Sequence, residues 1–148
     1  MQIINYTKDF KEKCLEIFKS NLPKFFAYEE LHLFEQFLDE DIHENYYVVY
    51  HDNELIACGG IFLNEKTKEG GLAWGMVHSK YHRKGFGKLF TEYRINLLKK
   101  VYPGKIYRIE TSQHTAPFYE KMGFITENIV INGFAKGIDK YIMKTESR

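Results

Sequence analysis

The sequence predicts an α/β (α+β) protein with a mixed, mostly antiparallel central sheet of about seven strands and helices on both faces. Two observations predict this class. Short runs rich in β-branched and aromatic residues follow one another across turn residues, which is typical of antiparallel strands. Elsewhere, amphipathic helical patterns separate the runs, which is typical of helices that cross over to a neighbouring strand. The predicted element order is β-α-α-β-β-β-α-β-α-β-β.

Each element follows from its local pattern. The predicted strands are residues 1–6, 46–51, 55–63, 71–78, 105–111, 124–131 and 138–143. Apolar residues at helical spacing indicate the first two helices, namely Phe10, Cys14 and Ile17, then Leu31, Phe34 and Leu38. The third helix, 86–101, is predicted to bury Phe86, Leu89, Phe90, Tyr93 and Leu97 on one side, and a short fourth helix covers 115–122.

Turn residues join several of these elements. Asp52-Asn53 lies between two strand patterns and predicts a hairpin. Gly59-Gly60 lies inside a strand pattern and predicts a bulge or a close backbone approach. Asn132-Gly133 and Gly137 are predicted to join the last two strands.

Composition limits the class of protein. The chain has 148 residues and is 44% hydrophobic, which predicts a single domain, 1–148, with a substantial core. Its formal net charge of +1 gives no electrostatic reason to expect a nucleic-acid or membrane partner. Cys14 and Cys58 lie in apolar patterns, so we expect buried free thiols and a cytoplasmic location. The six histidines show no metal-binding spacing, so no metal site is expected.

One stretch combines glycines with basic residues between a strand and a helix. It runs from His78 to Lys88, follows the apolar run 72–77 and opens the third helix. The first N–H groups of a helix lack intrahelical partners and carry partial positive charge, so nearby cations are repelled unless an anion lies between them. Phosphate is the usual anion at such a glycine turn. The local string is equally consistent with a turn whose basic residues are simply solvated.

Two well-known phosphate loops are excluded by spacing. A P-loop requires four residues between its glycines, whereas one residue separates Gly85 from Gly87. A dinucleotide-binding fingerprint requires glycine or alanine three residues after Gly87, where the chain has Phe90.

Two segments resemble the GCN5-related N-acetyltransferase (GNAT) superfamily. His82-Arg83-Lys84-Gly85-Phe86-Gly87 is similar to the family's acyl-CoA loop, Gln/Arg-x-x-Gly-x-Gly/Ala. Residues 115–124, Thr-Ala-Pro-Phe-Tyr-Glu-Lys-Met-Gly-Phe, resemble the Ala-x-Pro-Phe-Tyr-Glu-Lys-x-Gly-Phe segment common in small bacterial members. The two motifs together, in the family's element order, are specific for the superfamily and not for a substrate.

The resemblance implies an N-acetyltransferase that moves an acetyl group from acetyl-CoA to a primary amine. The amine would attack directly, through a tetrahedral intermediate and without a metal. Backbone amides from Arg83 to Lys88 would bind the CoA pyrophosphate, and the backbone of residues 76–78 would pair with the pantetheine arm. The implied cofactor-binding residues are Met76, Val77, His78, His82, Arg83, Lys84, Gly85, Phe86, Gly87, Lys88, Ser112 and Tyr119.

The resemblance also implies two catalytic groups. The N–H of Val77 would polarise the thioester carbonyl and stabilise the charge that develops as the amine attacks. Tyr119 occupies the position of the family's general acid, which would reprotonate the CoA thiolate. Its alternative role is that of a core aromatic beside Phe118 and Phe124.

The chain departs from the family pattern at two places. His82 replaces the usual glutamine or arginine, and the charge of a histidine depends on pH. Where several members place a glutamate base on the fourth strand, this chain has Gly71 and Trp74, with Glu69 just outside. The sequence therefore identifies no general base.

The acceptor is predicted only as a small-molecule or peptide amine. Phe25, Phe26, Tyr28 and Trp74 are candidate residues of its pocket, although an aromatic stripe is also typical of plain core. Glu29, Glu30 and the acidic run 39–41 are placed where they could lie near the pocket mouth.

Two other functions stay open at this point. One is a non-catalytic acyl-CoA-binding or sensor module on the same scaffold, since the strand-four carboxylate is missing. The other is nucleic-acid binding through the basic residues of 80–88, which the near-zero net charge disfavours. A homodimer through edge strands is a habit of the family.

Overall fold

The computed structural model describes residues 1–42 and 45–145. Its strands are β1 (Gln2–Asn5), β2 (Tyr46–His51), β3 (Glu54–Leu63), β4 (Gly70–Val77), β5 (Tyr107–Thr111), β6 (Phe124–Ala135) and β7 (Ile138–Thr145). Its α-helices are α1 (Lys11–Ser20), α2 (Leu31–Gln36), α3 (Phe86–Val101) and α4 (Ala116–Lys121). Short 3-10 turns precede α1 and α2 and follow β4, and a π-helical turn follows α2. The predicted order of strands and helices is confirmed.

The strands form one sheet in the order β1-β2-β3-β4-β5-β7-β6. Every neighbouring pair is antiparallel except β4 and β5, which run parallel, so the predicted mixed and mostly antiparallel sheet is confirmed. The β4–β5 pairing consists of Gly70 with Tyr107 and Gly71 with Arg108. Beyond these two pairs the strands separate, so the sheet has a gap beside the second half of β4.

Helices cover both faces of the sheet, as predicted. Val48 and Met76 pack in the core beneath α1 and α2, whereas Val49 and Val77 pack with Phe90 of α3. Successive side chains of a strand point to opposite faces. The α1–α2 pair and α3 therefore lie on opposite sides, and the hydrophobic cluster around α4 includes residues of α3.

The predicted turn between β2 and β3 and the predicted close backbone approach at Gly59-Gly60 are confirmed. Asp52 and Asn53 have φ of 48° and 62°, the positive values that a tight hairpin turn requires. The register shift between β3 and β4 at this point is a bulge on β4, because three steps from Ala73 to Met76 oppose two from Gly60 to Cys58. A Cβ on Gly60 would lie 2.3 Å from the carbonyl oxygen of Asn45, so only glycine allows this backbone approach.

The connection predicted between the last two strands is correct at Gly137, where φ is 83°, and wrong at Asn132-Gly133. β6 continues through Asn132 and Gly133 to Ala135, and the chain reverses afterwards, at 136–137. Asn132 has φ of 55° and lies within a register shift between β6 and β7. Its Oδ1 accepts a hydrogen bond from the Gly137 N–H at 2.7 Å. The Asn-Gly pair therefore forms a bulge in a long strand instead of a reversal.

The buried face of α3 also differs from the prediction. Leu89 and Tyr93 are 53% and 38% exposed, and the buried residues are Phe90, Thr91, Arg94 and Leu98. A Cβ at Gly75 would lie 2.3 Å from the Arg94 guanidinium, and one at Gly59 would lie 3.1 Å from it. Two strand glycines thus make room for a long polar side chain, so the helix packs on a different stripe from the one its apolar spacing indicates.

Arg108 joins the edge of the β4–β5 pairing to two other segments. Its Nε donates to Glu69 Oε1 and its guanidinium NH1 donates to Glu127 Oε1, both at 2.7 Å. Lys144 Nζ lies 2.7 Å from the second Glu127 oxygen. Arg108 and Lys144 together lower the pKa of Glu127 to about 2. The network therefore stabilises the ionised form of Glu127.

We expect Glu127→Gln to destabilise the protein at neutral pH but not in acid. The folded-state pKa is depressed, so the stabilisation from Glu127 is complete above about pH 4.5 and is lost as pH falls towards about 2. Urea unfolding of both proteins from pH 7 to pH 2 measures the difference in free energy of unfolding. Glu120→Gln, an exposed change on α4, is the matched control. A wild-type-to-variant difference that stays constant across this range would contradict the expectation.

Candidate active site

The separation of β4 from β5 opens a cleft of about 1030 Å³. Its walls come from the α1–α2 connection, β4, the first turns of α3, the end of β5 and α4. Many of the sequence-predicted site residues line it, namely Phe25, Phe26, Trp74, Met76, Val77, His82, Arg83, Gly87, Ser112 and Tyr119.

Other predicted residues lie beside the cleft and not in its wall. These are His78, Lys84, Gly85, Phe86 and Lys88. The Phe86 ring packs against His51 and Tyr81, with centroids 4.6 and 5.9 Å away. Tyr28 is not part of the cleft at all, because it begins the turn that leads into α2 and is 72% exposed. The structure therefore leaves three of the four predicted aromatic residues at the cleft.

The turn before α3 leaves the first N–H groups of the helix uncovered by side chains. Arg83 and Gly85 have positive φ, 63° and 88°, and Gly85 is the N-cap of α3. No atom lies within 4 Å of the position that a Cβ would take at Gly85, and at Gly87 the nearest atoms are 3.8 and 4.0 Å away. The free N–H groups of the first helical turn are thus open to a ligand at the Gly87 side of the cleft.

Positive charge surrounds this turn. Arg83, Lys84 and Lys88 are exposed. The ion pairs formed within residues 1–42 and 45–145 include none of these three cations. Helix dipole and side chains therefore act together, and an anion is the ligand that this turn favours.

The end of β4 directs the Val77 backbone into the gap. The His78 N–H donates to Ile56 O at 2.8 Å, and Val77 lies opposite Ala57 in the register. Hydrogen bonding alternates along an antiparallel pair, so the N–H and C=O of Val77 point away from β3, towards the side of β5. The Val77 N–H is consequently placed where a ligand in the cleft could accept from it.

Two side chains hold the Val77 carbonyl. The buried Asn21 donates from Nδ2 to Val77 O at 3.0 Å, and Nε2 of His82 lies 2.8 Å from the same oxygen. A carbonyl oxygen only accepts, so this contact requires the His82 tautomer that is protonated at Nε2. The Phe25 ring lies edge-on to His82 at 5.2 Å. His82 therefore positions β4, and Asn21 does so without any motif that could have revealed it.

Tyr119 is presented to the cleft from α4. It is 8% exposed, and its ring packs edge-on against Phe118 and Phe124 at 5.1 and 5.9 Å. Its hydroxyl makes no hydrogen bond to the residues that the structure describes, so it is available to a ligand. Ser112 is buried nearby, and its Oγ accepts from the His114 N–H at 3.2 Å.

Two charged residues of the cleft, Arg94 and Glu30, belong to neither of the two sequence motifs. Arg94 is 2% exposed, its NH1 lies 3.4 Å from Gly60 O, and its Nε has no partner among the described residues. Its guanidinium carbon lies 5.0 Å from the centre of the Phe90 ring, a cation–π contact. Glu30 is 7% exposed, and burial raises the pKa of its carboxyl group. Arg94 is placed by tertiary contacts with Gly59 and Gly75, whereas Glu30 accepts a local hydrogen bond from the Ala27 N–H.

Cys14 and Cys58 are buried free thiols, as the sequence predicted. Within the described residues, no group of three or more histidine, cysteine or acidic side chains could hold a metal ion. No helix formed by residues 1–42 and 45–145 has the length and apolar character needed to span a bilayer.

The family model described as "Acetyltransferase (GNAT) family" matches residues 11–124. The chain belongs to the GNAT acetyltransferase family. The matched segment of this GNAT chain runs from α1 to the start of β6 and includes the basic glycine turn and α4. Curated protein sequences give no match to it.

Solved structures of acetyltransferases share the fold. The ribosomal-protein-alanine N-acetyltransferase from Brucella melitensis has a TM-score of 0.77 at 13% identity, covering 98% of this chain and 99% of that one. The ribosomal-protein-S18-alanine N-acetyltransferase from Escherichia coli has a TM-score of 0.76 at 19% identity, covering 97% and 92%. An aminoglycoside 6′-N-acetyltransferase complexed with coenzyme A has a TM-score of 0.73 at 13% identity, covering 98% and 96%. At these identities the likeness supports the GNAT fold and does not specify an acceptor.

Proposed function

We propose that this GNAT protein transfers an acetyl group from acetyl-CoA to a primary amine. The observation that carries the proposal is the gap beside β4, which joins the Val77 N–H, the Tyr119 hydroxyl and the bare first turn of α3 in one cleft. This combination provides a hydrogen-bond donor, a proton donor and an anion site along one path.

The chain fits acetyl-CoA as the acyl donor. The open positions at Gly85 and Gly87 and the exposed cations Arg83, Lys84 and Lys88 suit a pyrophosphate. The backbone of β4 beyond Gly71 faces the gap and could pair with an extended pantetheine arm, as a further strand would. Acetyl-CoA supplies the activated acetyl group as a thioester.

Three residues would perform the transfer. The acceptor nitrogen attacks the thioester carbonyl carbon, and the Val77 N–H donates to the oxygen as negative charge develops there. The carbon–sulfur bond then breaks, and the Tyr119 hydroxyl gives its proton to the departing thiolate. We assign the proton that the attacking nitrogen loses to water, because β4 carries no carboxylate beside the Val77 N–H. Asn21 holds the end of β4 during these steps through the Val77 carbonyl.

Calorimetric titration with acetyl-CoA tests this proposal first. We expect acetyl-CoA and CoA to bind more tightly than adenosine 3′,5′-bisphosphate, because only the first two carry the pantetheine arm. An amine screen with free-thiol detection would then measure turnover. Failure of acetyl-CoA to bind would overturn the proposal. Tight binding without turnover on any amine would favour a non-catalytic acyl-CoA sensor instead.

A further inference from the structure

Glu30 lies in the aromatic part of the same cleft. The residue is only 7% exposed. It lines the cleft together with Phe26, Phe37, Trp74 and Phe134. The rings of Phe26 and Phe37 pack against Trp74, with centroids 6.4 and 6.3 Å away. Glu30 is therefore a largely buried carboxylate that lines the same cleft as these aromatic rings.

One oxygen of this carboxylate is already used. Glu30 Oε2 accepts from the Ala27 N–H at 2.8 Å, and the Glu30 N–H donates back to Ala27 O at 3.0 Å. This reciprocal pair caps the helical turn that leads into α2. The other oxygen, Oε1, receives no hydrogen bond from the residues that the structure describes. The cap therefore uses Oε2 and leaves Oε1 without a hydrogen-bond donor among the described residues.

No cation of the described chain neutralises Glu30. Burial has the largest effect on the pKa of the Glu30 carboxyl group and raises it, whereas the charge of Lys140 on β7 lowers it and that of Glu29 raises it. Lys140 Nζ is held elsewhere, 3.8 Å from Glu110 Oε1 and 5.3 Å from the centre of the Phe134 ring. A buried carboxylate without a cationic partner is costly, and it attracts a cation that can enter the cleft.

We propose that Glu30 and the aromatic residues around it bind a second cationic group on the acceptor. The inference rests on the proposed function and deepens it: the acceptor is a small diamine or polyamine, whose one amine is acetylated while another ammonium contacts Glu30 Oε1. Aromatic faces attract cations, and a carboxylate adds a charge-assisted hydrogen bond. Trp74 lies three residues before Val77, in the bulge of β4 where its φ is 42°. The reacting amine beside Val77 and the second ammonium beside Trp74 would therefore occupy different parts of the cleft.

A matched set of acceptors tests the inference. α,ω-Diamines of graded length are compared with n-alkylmonoamines of the same length, using free-thiol detection. We expect wild-type protein to prefer diamines, and Glu30→Gln to lower kcat/KM for the diamines by about 10- to 100-fold while leaving the monoamines nearly unchanged. Glutamine can still accept from the Ala27 N–H, so this variant removes the charge and retains the cap. Glu29→Gln removes an exposed neighbouring charge and serves as control. Equal loss for monoamines and diamines, or no loss, would overturn the inference.

A binding measurement separates this inference from the proposed function. Trp74 is the only tryptophan of the chain and lies in the cleft, so its fluorescence reports on the site. The probe is an alkane with a dimethylammonium group at each end, which keeps an N–H donor but, as a tertiary amine, forms no stable amide. It is titrated with and without CoA. We expect saturable quenching in wild-type protein and at least tenfold weaker binding in Glu30→Gln. If no amine is acetylated but the probe binds through Glu30, the proposed function fails and the cation site stands. If wild-type protein does not bind the probe, the cation site fails.

Discussion

Replacing Tyr119 with phenylalanine is expected to lower kcat for amine acetylation by about 10²- to 10⁴-fold, the usual contribution of a positioned general acid. The ring keeps its edge-on contacts with Phe118 and Phe124, and only the hydroxyl that faces the cleft is lost. Acetyl-CoA affinity should change little, because the hydroxyl acts as the thiolate leaves. Steady-state kinetics with free-thiol detection, alongside calorimetric titration, measure the two quantities separately.

The control for this change is Tyr93→Phe. Tyr93 is 38% exposed on α3 and lies outside the cleft wall, so the same atom is removed where no proton transfer is expected. Thermal unfolding of both variants shows whether the fold is retained. Full kcat in a folded Tyr119→Phe variant would mean that Tyr119 is only a core aromatic.

Replacing Gly87 with valine is expected to weaken acetyl-CoA binding by at least tenfold, or about 1.4 kcal/mol. The protein has room for the new side chain, since the nearest atoms to its Cβ are 3.8 and 4.0 Å away. Valine is also a better helix former than glycine, so stability should not fall. The valine methyl groups would instead cover the first-turn N–H groups of α3, where we place the pyrophosphate. Calorimetric titration gives the dissociation constant.

Gly87 is a sharper choice than Gly85 for this experiment. Gly85 has φ of 88°, so a side chain there would strain the turn itself, and a lost affinity could reflect a distorted loop. Leu89→Val is the control, because Leu89 is 53% exposed on the same helix and does not line the cleft. An unchanged dissociation constant for Gly87→Val would remove the first turn of α3 from the donor site.

The sequence predicted those features that depend on neighbouring residues alone. The turn at Asp52-Asn53 and the glycine turn before α3 have the conformations that their own chemistry favours. The order of strands and helices follows from local periodicity, and the gap beside β4 is where the family resemblance implied a donor site. The roles of Val77 and Tyr119 stay predictions, although both residues lie at the cleft.

Features that arise from distant residues could not be predicted in this way. Arg94 of α3 is buried because Gly59 on β3 and Gly75 on β4 leave space for it. Asn21 reaches the Val77 carbonyl across 56 positions of sequence. Asn132-Gly133 has the composition of a turn, yet the pairing of β6 with β7 resumes beyond it. In each case a tertiary contact outweighs the local preference that the sequence displays.

The two residue pairs that join β4 to β5 also affect local unfolding of the protein and its resistance to proteolysis. Strands β5, β7 and β6 are joined to β4 by these two pairs and to the rest of the protein mainly by side-chain packing, so we expect the edge that faces the gap to open before the core unfolds. A donor molecule that bridges the gap would oppose this opening, by about 2.7 kcal/mol at a hundred times its dissociation constant. Resistance to proteolysis would then increase with the concentration of the donor, so the protein would have its longest half-life when the donor is abundant.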